Sequence, residues 1–371
     1  MSKHSRTEQP LDETKSPEHY LPKKRRSQKK PLGKIIGGIV LVLLIAVGAY
    51  GFYLYQQTKA AADKTYSSVN KKKEAALTSK VASQDPISIL LLGTDTGAEG
   101  RTEVNGNSDT IIIVTVNPKT KRMTMTSIPR DTMAQMVGTS SYNFRKINAA
   151  YDIGGAKMAL NSVSKLVNVP LTNYVSVNMG GLEKIVKAVG GVDVTPTLTF
   201  SYGGYNFTKG KAIHLNGKAA LAYSRMRHED PQGDYGRQTR QRQIIEAIIK
   251  SAVSTGTLAN FQTFLDSISD NVTTNLTFSQ MVAIFKDYRG AAKQIKSDHL
   301  QGISAWWGSA SVQIAATTEL QRVSDNIRSE LGLTKETVNN ETTRQNKLNA
   351  AYGFSFNNPV TEQNFSVYAQ N

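Results

Sequence analysis

Ile87-Ser88-Ile89-Leu90-Leu91-Leu92-Gly93 is the stretch whose reading decides the fold of this chain. A short apolar run stopped by a glycine reads as a buried strand. Thr110 to Val116 repeats the pattern, and Asn117-Pro118-Lys119-Thr120 is turn chemistry leading into a third strand, Arg122 to Ile128. Three strands in such quick succession are expected to be neighbours in one sheet.

Downstream the period alternates. A helical pattern runs from Lys146 to Val167, followed by a strand at Tyr174 to Val177 and a helix from Gly181 to Val189. The Gly190-Gly191 break then precedes a strand at Val192 to Val194. Helices at Gly217 to Arg227 and Gly236 to Ser254 complete the alternation, with Thr197 to Ile213 as a hairpin or long loop between. The predicted fold class is α/β: a three-layer α-β-α domain with a central mixed sheet over residues 85–254. Weaker amphipathic patterns at Leu258 to Ser267, Phe278 to Tyr288 and Leu320 to Leu331 predict a helical extension over 255–333. Residues 334–371, rich in Asn, Thr and Gln, are predicted to be a disordered tail, and Trp306-Trp307 is expected in a small core, with a binding surface as the alternative.

The N-terminus carries an address. Residues 35–55 are 21 residues without a charge, long enough at about 1.5 Å per residue to span the roughly 30 Å core of a bilayer. Tyr50, Phe52, Tyr53 and Tyr55 supply an aromatic belt at one end. Seven Lys and Arg lie between Tyr20 and Lys34, against two between Gln56 and Asn70, so the predicted anchor leaves residues 1–34 as a disordered basic cytoplasmic tail. The apolar run is too long for a cleaved signal peptide. Residues 56–84, Ala- and Lys-rich, are expected to form an extracellular helical stalk with solvated lysines. The chain has no cysteine, which excludes disulfides and thiolate metal sites. Its formal charge of +16 suits anionic polymers and lipid phosphates, and nucleic acid equally, so charge alone selects no partner.

Five arginines fall between Leu221 and Gln243, ahead of a pattern that must be buried. On a 3.6-residue period Arg237 and Gln241 share a stripe with Ile244, Ile245 and Ile248, so two polar heads point where apolar side chains belong. Buried guanidinium forks need an anion, and their geometry suits phosphate oxygens. Arg242, Glu246 and Lys250 share the opposite stripe and read as an ordinary solvated face. Acidic residues gather at predicted strand ends: Asp95 after the first strand, Asp109 opening the second, Asp131 after the third. Crevices at strand ends are where α/β proteins build sites, and two carboxylates there suit a hard cation that takes phosphate oxygens as its other ligands. Capping of turns is the ordinary alternative for Asp95 and Asp109.

Taken together, Leu91-Leu92-Gly93-Thr94-Asp95, Asn107-Ser108-Asp109-Thr110, Ser127-Ile128-Pro129-Arg130-Asp131, Lys146-Ile147-Asn148, Gly190-Gly191-Val192-Asp193-Val194 and the arginine block from Ala222 to Gln243 resemble the LytR-CpsA-Psr family of bacterial cell-wall enzymes. The resemblance covers roughly residues 86–254. It implies a phosphotransferase outside the membrane that moves a glycopolymer, with one phosphate, from a polyprenyl-pyrophosphate carrier to a peptidoglycan sugar hydroxyl, expected at C6 of N-acetylmuramic acid. By match to the family pattern, Asp95 and Asp109 hold Mg²⁺ (or Mn²⁺). Arg130, Lys146, Arg225, Arg227, Arg237 and Gln241 grip the pyrophosphate, and Asp234 orients the cluster. Either Asp95 or Asp234 serves as general base. Apolar residues around Met158 to Val167 and Leu182 to Val189 are expected to line a lipid channel or to be ordinary core. Many members carry arginine two residues before the second aspartate; here Asn107 stands there, and Arg101, in a longer loop, is the candidate replacement.

The expected partners are the lipid-linked glycopolymer, peptidoglycan and the membrane, with no nucleic acid, because nothing resembles a helix-turn-helix with a basic recognition face. The rival readings are a membrane-bound transcriptional regulator, a non-catalytic binder of lipid-linked precursor, and a pyrophosphate hydrolase. The five histidines are scattered and suggest neither a triad nor a zinc site.

Overall fold

The computed structural model describes residues 56–57, 59–60, 62–96, 106–254, 268–357 and 362–369. The expected anchor at 35–55, the tail at 1–34, Arg101 and the helix expected at Leu258 to Ser267 lie outside the described residues. No helix among the described residues is long and apolar enough to cross a membrane.

The first strand pairs as its sequence demands. β1 (Ile87–Thr94) lies antiparallel to β2 (Ser108–Asn117), and β2 antiparallel to β3 (Arg122–Ser127). On the other side β1 runs parallel to a later strand, Asn173–Asn178, which pairs antiparallel with Val272–Thr274; β3 runs parallel to Ile295–His299. Numbered along the chain, with the short pairs β4 (Met133–Gln135) with β5 (Phe144–Lys146) and β7 (Val192–Val194) with β10 (Ile213–Leu215), and the hairpin β8 (Phe200–Tyr202) and β9 (Tyr205–Phe207), these later strands are β6, β11 and β12. The six-stranded sheet is ordered β11-β6-β1-β2-β3-β12 and is mixed.

Alternation along the central strands divides two cores. Leu90, Leu92, Ile111 and Ile113 face one side and pack on α2 (Ala149–Val167) through Met158, Leu160, Val163 and Leu166. Ile87, Ile112, Val114 and Val116 face the other and meet α1 (Lys71–Ala82) through Leu77 and Val81. Burial of these side chains, each contributing about 1.5–3 kcal/mol, is what selects the register, since a slip of one residue would exchange the faces. A third core gathers Phe200, Phe207, Tyr223 and Ile244 between the β8–β9 hairpin, α4 (Gly217–Arg225) and α5 (Asp234–Ser254); α3 (Met179–Ala188) closes it through Val186. α6 (Phe278–Tyr288) and α7 (Thr317–Glu330) cover the two faces of the sheet, and a long hairpin, β13 (Gly302–Trp307) with β14 (Ala310–Ala315), stands at one end.

Three expectations change. Residues 56–84 do not form a free stalk: Leu77 and Val81 are buried in the sheet's core, and Glu74 is buried too, accepting from the Val69 and Asn70 N–H groups at 2.7 and 2.9 Å. The region 255–333 is not purely helical, because β11 and β12 are edge strands of the main sheet and β13–β14 is a hairpin. Nor are residues 334–371 a disordered tail. They contain α8 (Glu341–Ala351), whose Gln345, Asn346 and Asn349 are buried, each spending its amide on backbone partners: Asn346 on the Ala315 carbonyl, Gln345 on the Tyr368 N–H and carbonyl, Asn349 on those of Ser366. A polar composition packs here because the amide N–H groups of all three residues find carbonyl partners, although the Asn346 Oδ1 is buried without a donor. Trp306 is 38% exposed while Trp307 packs beside Phe354 and Phe365, so the tryptophan pair is core in only one of its members.

Candidate active site

The site grows from an irregularity in the β1–β2 ladder. Gly93 pairs with Thr110 but Thr94 with Ser108, which leaves Asp109 as the extra residue of a bulge. A bulge re-aims the side chain it inserts. Gly93 is required there, because a Cβ would sit 2.8 Å from that of Thr110. Asp95 follows at the end of β1, its N–H donating to the Asn107 carbonyl at 3.3 Å, so the two candidate metal ligands leave neighbouring strands at the same end.

The other strand ends are tied to this point. The Ser108 N–H donates to the Asn148 carbonyl at 3.2 Å, the Asn148 N–H to the Arg130 carbonyl at 3.2 Å, and the Ile147 N–H to the Thr132 carbonyl at 2.8 Å. These bonds bring the Lys146-Ile147-Asn148 turn and the Arg130-Asp131 corner onto the start of β2. Arg130 Nη1 donates to Asp109 Oδ2 at 2.6 Å, and Lys146 Nζ lies 2.8 Å from Asp131 Oδ1.

The first turns of α5 supply the rest. Arg237, 7% exposed, places Nη2 2.6 Å from Asp234 Oδ1 in an ion pair that lacks the alignment of a hydrogen bond, and the same Nη2 donates to the Asp109 carbonyl at 3.4 Å. Burial lowers the pKa of Arg237; Asp234 offsets this in part, while Arg130 and Arg227 push the same way as burial. Burial alone would also lower Arg130, but Asp109, and after it Asp131 and Asp234, more than compensate, and its pKa is raised. The Nε atoms of both Arg130 and Arg237 are buried without a hydrogen-bond partner in the protein. Guanidiniums that repel one another and keep unsatisfied donors suit an oxyanion.

Arg130, Lys146, Arg237 and Asp109, Asp131, Asp234 are thus brought together, with Arg227 close enough to act on Arg237. Arg225 ends α4 and Gln241 lies one turn beyond Arg237 on α5, both half-buried. Asp95 and Asp109 offer hard oxygen donors at one strand end, and no group of three or more His, Cys, Asp or Glu able to hold a metal occurs among the described residues. Such a donor set fits a cation that takes its remaining ligands from phosphate and water, as Mg²⁺ does.

Two arginines differ from the sequence reading. Arg242 is not on a solvated face: α5 is wedged between two cores, and Arg242 is buried, with Nη1 donating to Ser127 Oγ at 2.6 Å. Glu246 and Lys250 do form the expected surface pair, at 2.6 Å. Arg240, given no role from sequence, is nearly fully buried, pairs with Asp230 and donates to the carbonyls of Tyr223 and Met226. It fastens the segment carrying Arg225 and Arg227 to α5. Gly236 makes room for this, since a Cβ there would collide with the Asp230 carboxylate. Its position one turn beyond Gly236 and three beyond Arg237 was the available signal. Asp131, noted at a strand end, was likewise given no role from sequence, although it directly follows Arg130.

The LytR_cpsA_psr family model matches residues 50–329. A protein of Enterococcus faecalis named polyisoprenyl-teichoic acid--peptidoglycan teichoic acid transferase TagU is 44% identical over 305 residues, covering 82% of this chain and 99% of its own. A crystal structure from the same organism, described as a transcriptional regulator, superposes with a TM-score of 0.62 at 37% identity, covering 73% of this chain and 95% of that one. A structure of TagT bound to LI-WTA gives a TM-score of 0.57 at 27% identity over 68% of this chain and 92% of its own.

Proposed function

Because the chain belongs to the LytR-CpsA-Psr family, we propose that it is a transferase attaching a teichoic acid or related wall glycopolymer to peptidoglycan, as the name of its Enterococcus faecalis relative states for that protein. The observation that carries the reading is Arg237: buried, pushed toward neutrality by burial and by two neighbouring guanidiniums, and holding an unsatisfied Nε. A pyrophosphate supplies the charge that this arrangement lacks.

The reaction follows from that chemistry. A peptidoglycan sugar hydroxyl, at C6 of N-acetylmuramic acid in this proposal, attacks the phosphorus that bears the glycopolymer. The bridging P–O bond breaks, polyprenyl monophosphate leaves, and a phosphodiester joins polymer to glycan. Arg130, Lys146, Arg225, Arg227 and Arg237, with Gln241, hold the phosphate oxygens, stabilising charge as it develops. Both oxygens of Asp234 are engaged, by Arg237 at 2.6 Å and by the Gln238 amide at 2.8 Å, which suits it to orient the cluster. Asp95 then receives the hydroxyl proton. Mg²⁺ or Mn²⁺, when bound by Asp95 and Asp109, neutralises phosphate charge.

In this reading residues 35–55 anchor the chain in the cell membrane with its N-terminus in the cytoplasm, leaving the site outside, where lipid carrier and wall meet. The test is incubation of the full-length chain with Mg²⁺, a polyprenyl-pyrophosphate-linked saccharide and uncrosslinked glycan strands. Mass spectrometry should find the saccharide phosphodiester-linked to glycan. Saccharide phosphate released to water would make the protein a hydrolase, and tight donor binding without product a recruiting protein.

A further inference from the structure

Each of three cations at the strand ends stands against one carboxylate: Arg130 against Asp109, Arg237 against Asp234, Lys146 against Asp131. Asp131 belongs to the Ser127–Asp131 stretch that carries the family resemblance, yet it is the one member of these pairs to which the resemblance gives no role. We infer that Asp131 is a positioning residue, which fixes the Lys146 ammonium beside Arg130 in the geometry that the pyrophosphate meets; the inference rests on the transfer reading above.

The local structure is built to hold this carboxylate still. The Asp131 carbonyl accepts from the Gln313 N–H at 2.9 Å, and Thr132 forms a bridge with Gln313. Gln313 in turn accepts from the Tyr235 hydroxyl at 3.2 Å, and that hydroxyl accepts from the Gly302 N–H at 2.7 Å. Tyr235 follows Asp234 in α5, so the β13–β14 hairpin ties the Asp131 corner to the helix that carries Arg237. Beyond the corner, Thr132 pairs with Ile147 and Met133 lies opposite Lys146, which sets Asp131 and Lys146 side by side.

Asp131 Oδ1 lies 2.8 Å from Lys146 Nζ, and its Oδ2 is 3.7 Å from Arg130 Nε, too long for a hydrogen bond but close enough to attract it. A lysine carries its charge on a flexible four-carbon stem, and without a fixed partner its ammonium has no single direction. A carboxylate beside an anion site also opposes binding of the anion. These effects have opposite signs: Asp131 weakens ground-state attraction while ordering the group that meets the transition state. A residue present only to stabilise the fold would produce neither.

The experiment uses the full-length chain with Asp131→Asn and Asp131→Glu, measuring inorganic pyrophosphate binding by calorimetry, kcat and KM for transfer from the lipid-linked saccharide, and thermal melting. For Asp131→Asn the expected result is a kcat lower by roughly 10- to 100-fold with an unchanged melting temperature. Pyrophosphate binding should be unchanged or tighter, by up to about tenfold. Asp131→Glu, which keeps the carboxylate, should recover most of the rate. A kcat within about twofold of wild type overturns the inference, as does loss of pyrophosphate affinity in step with a fall in melting temperature. Should the wild-type chain transfer nothing, the transfer reading fails by itself, and weaker pyrophosphate binding by Asp131→Asn would still overturn the role given to Asp131.

Discussion

Replacing Glu74 by Gln should remove a pH-dependent part of the stability. The Glu74 carboxylate accepts from the Val69 and Asn70 N–H groups, from the hydroxyls of Ser68 and Tyr66 at 2.8 and 3.1 Å, and from the Asn275 amide at 3.1 Å. Asn275, fully buried, also donates to the Thr172 carbonyl and accepts from the Tyr174 N–H, so the contacts run from α1 to the start of β6. Burial alone would raise the Glu74 pKa; the Asn70 N–H, Ser68, the Val69 N–H and Asn275 together lower it from 4.5 to about 2. At about 1.4 kcal/mol per pH unit the difference corresponds to roughly 3 kcal/mol. A carboxyl with a lower pKa folded than unfolded stabilises the fold through its ionised form. That stability is complete above about pH 4.5 and is lost as pH falls through about 2. Glu74→Gln keeps the shape and removes the charge, so at pH 7 it should be less stable by about 2–3 kcal/mol, and the gap should close toward pH 2. Urea unfolding followed by circular dichroism at pH 7, 5, 4 and 3 measures this. A gap of the same size throughout, or none at pH 7, would refute the reasoning.

Arg240→Ala should destabilise the fold by about 3–5 kcal/mol, read as a lower midpoint in the same unfolding assay, because it leaves Asp230 buried without its cation. Removing residues 334–371 should uncover the face of Phe144, Ile303 and Val312 that packs on Phe354 and Phe365, lowering the melting temperature and opening the β4–β5 hairpin to protease. Chelation should abolish transfer and added Mg²⁺ restore it, whereas Asp109→Asn should respond to neither while still melting as the wild type does.

Continuous apolar runs were enough to place the central strands because Ile87 to Leu92 and Ile111 to Val116 fill both faces of a covered sheet. The arginine block was legible for a related reason: Arg237 shares a helical stripe with Ile244 and is buried as that stripe predicts. Arg242 misled because the period assumes one buried face, and α5 has cores on both sides. β12, with one large apolar residue in Ile-Lys-Ser-Asp-His, carries no strand pattern; it is an edge strand held by its ladder to β3. Gln345, Asn346 and Asn349 read as disorder because composition records polarity and not partners. The carbonyls that satisfy them lie in β14, α8 itself and the segment 362–369. Asp131 escaped for the same reason, since only the fold brings Lys146 beside it.

The fate of phosphorus separates transfer from hydrolysis, and following both phosphorus atoms through a single turnover is the most direct test. With donor, acceptor glycan and Mg²⁺, one phosphorus should appear as a glycan phosphodiester and the other as polyprenyl monophosphate, in equal amounts, with Arg237→Ala forming neither. Polyprenyl monophosphate accompanied by free saccharide phosphate, with no diester on the glycan, would contradict the account.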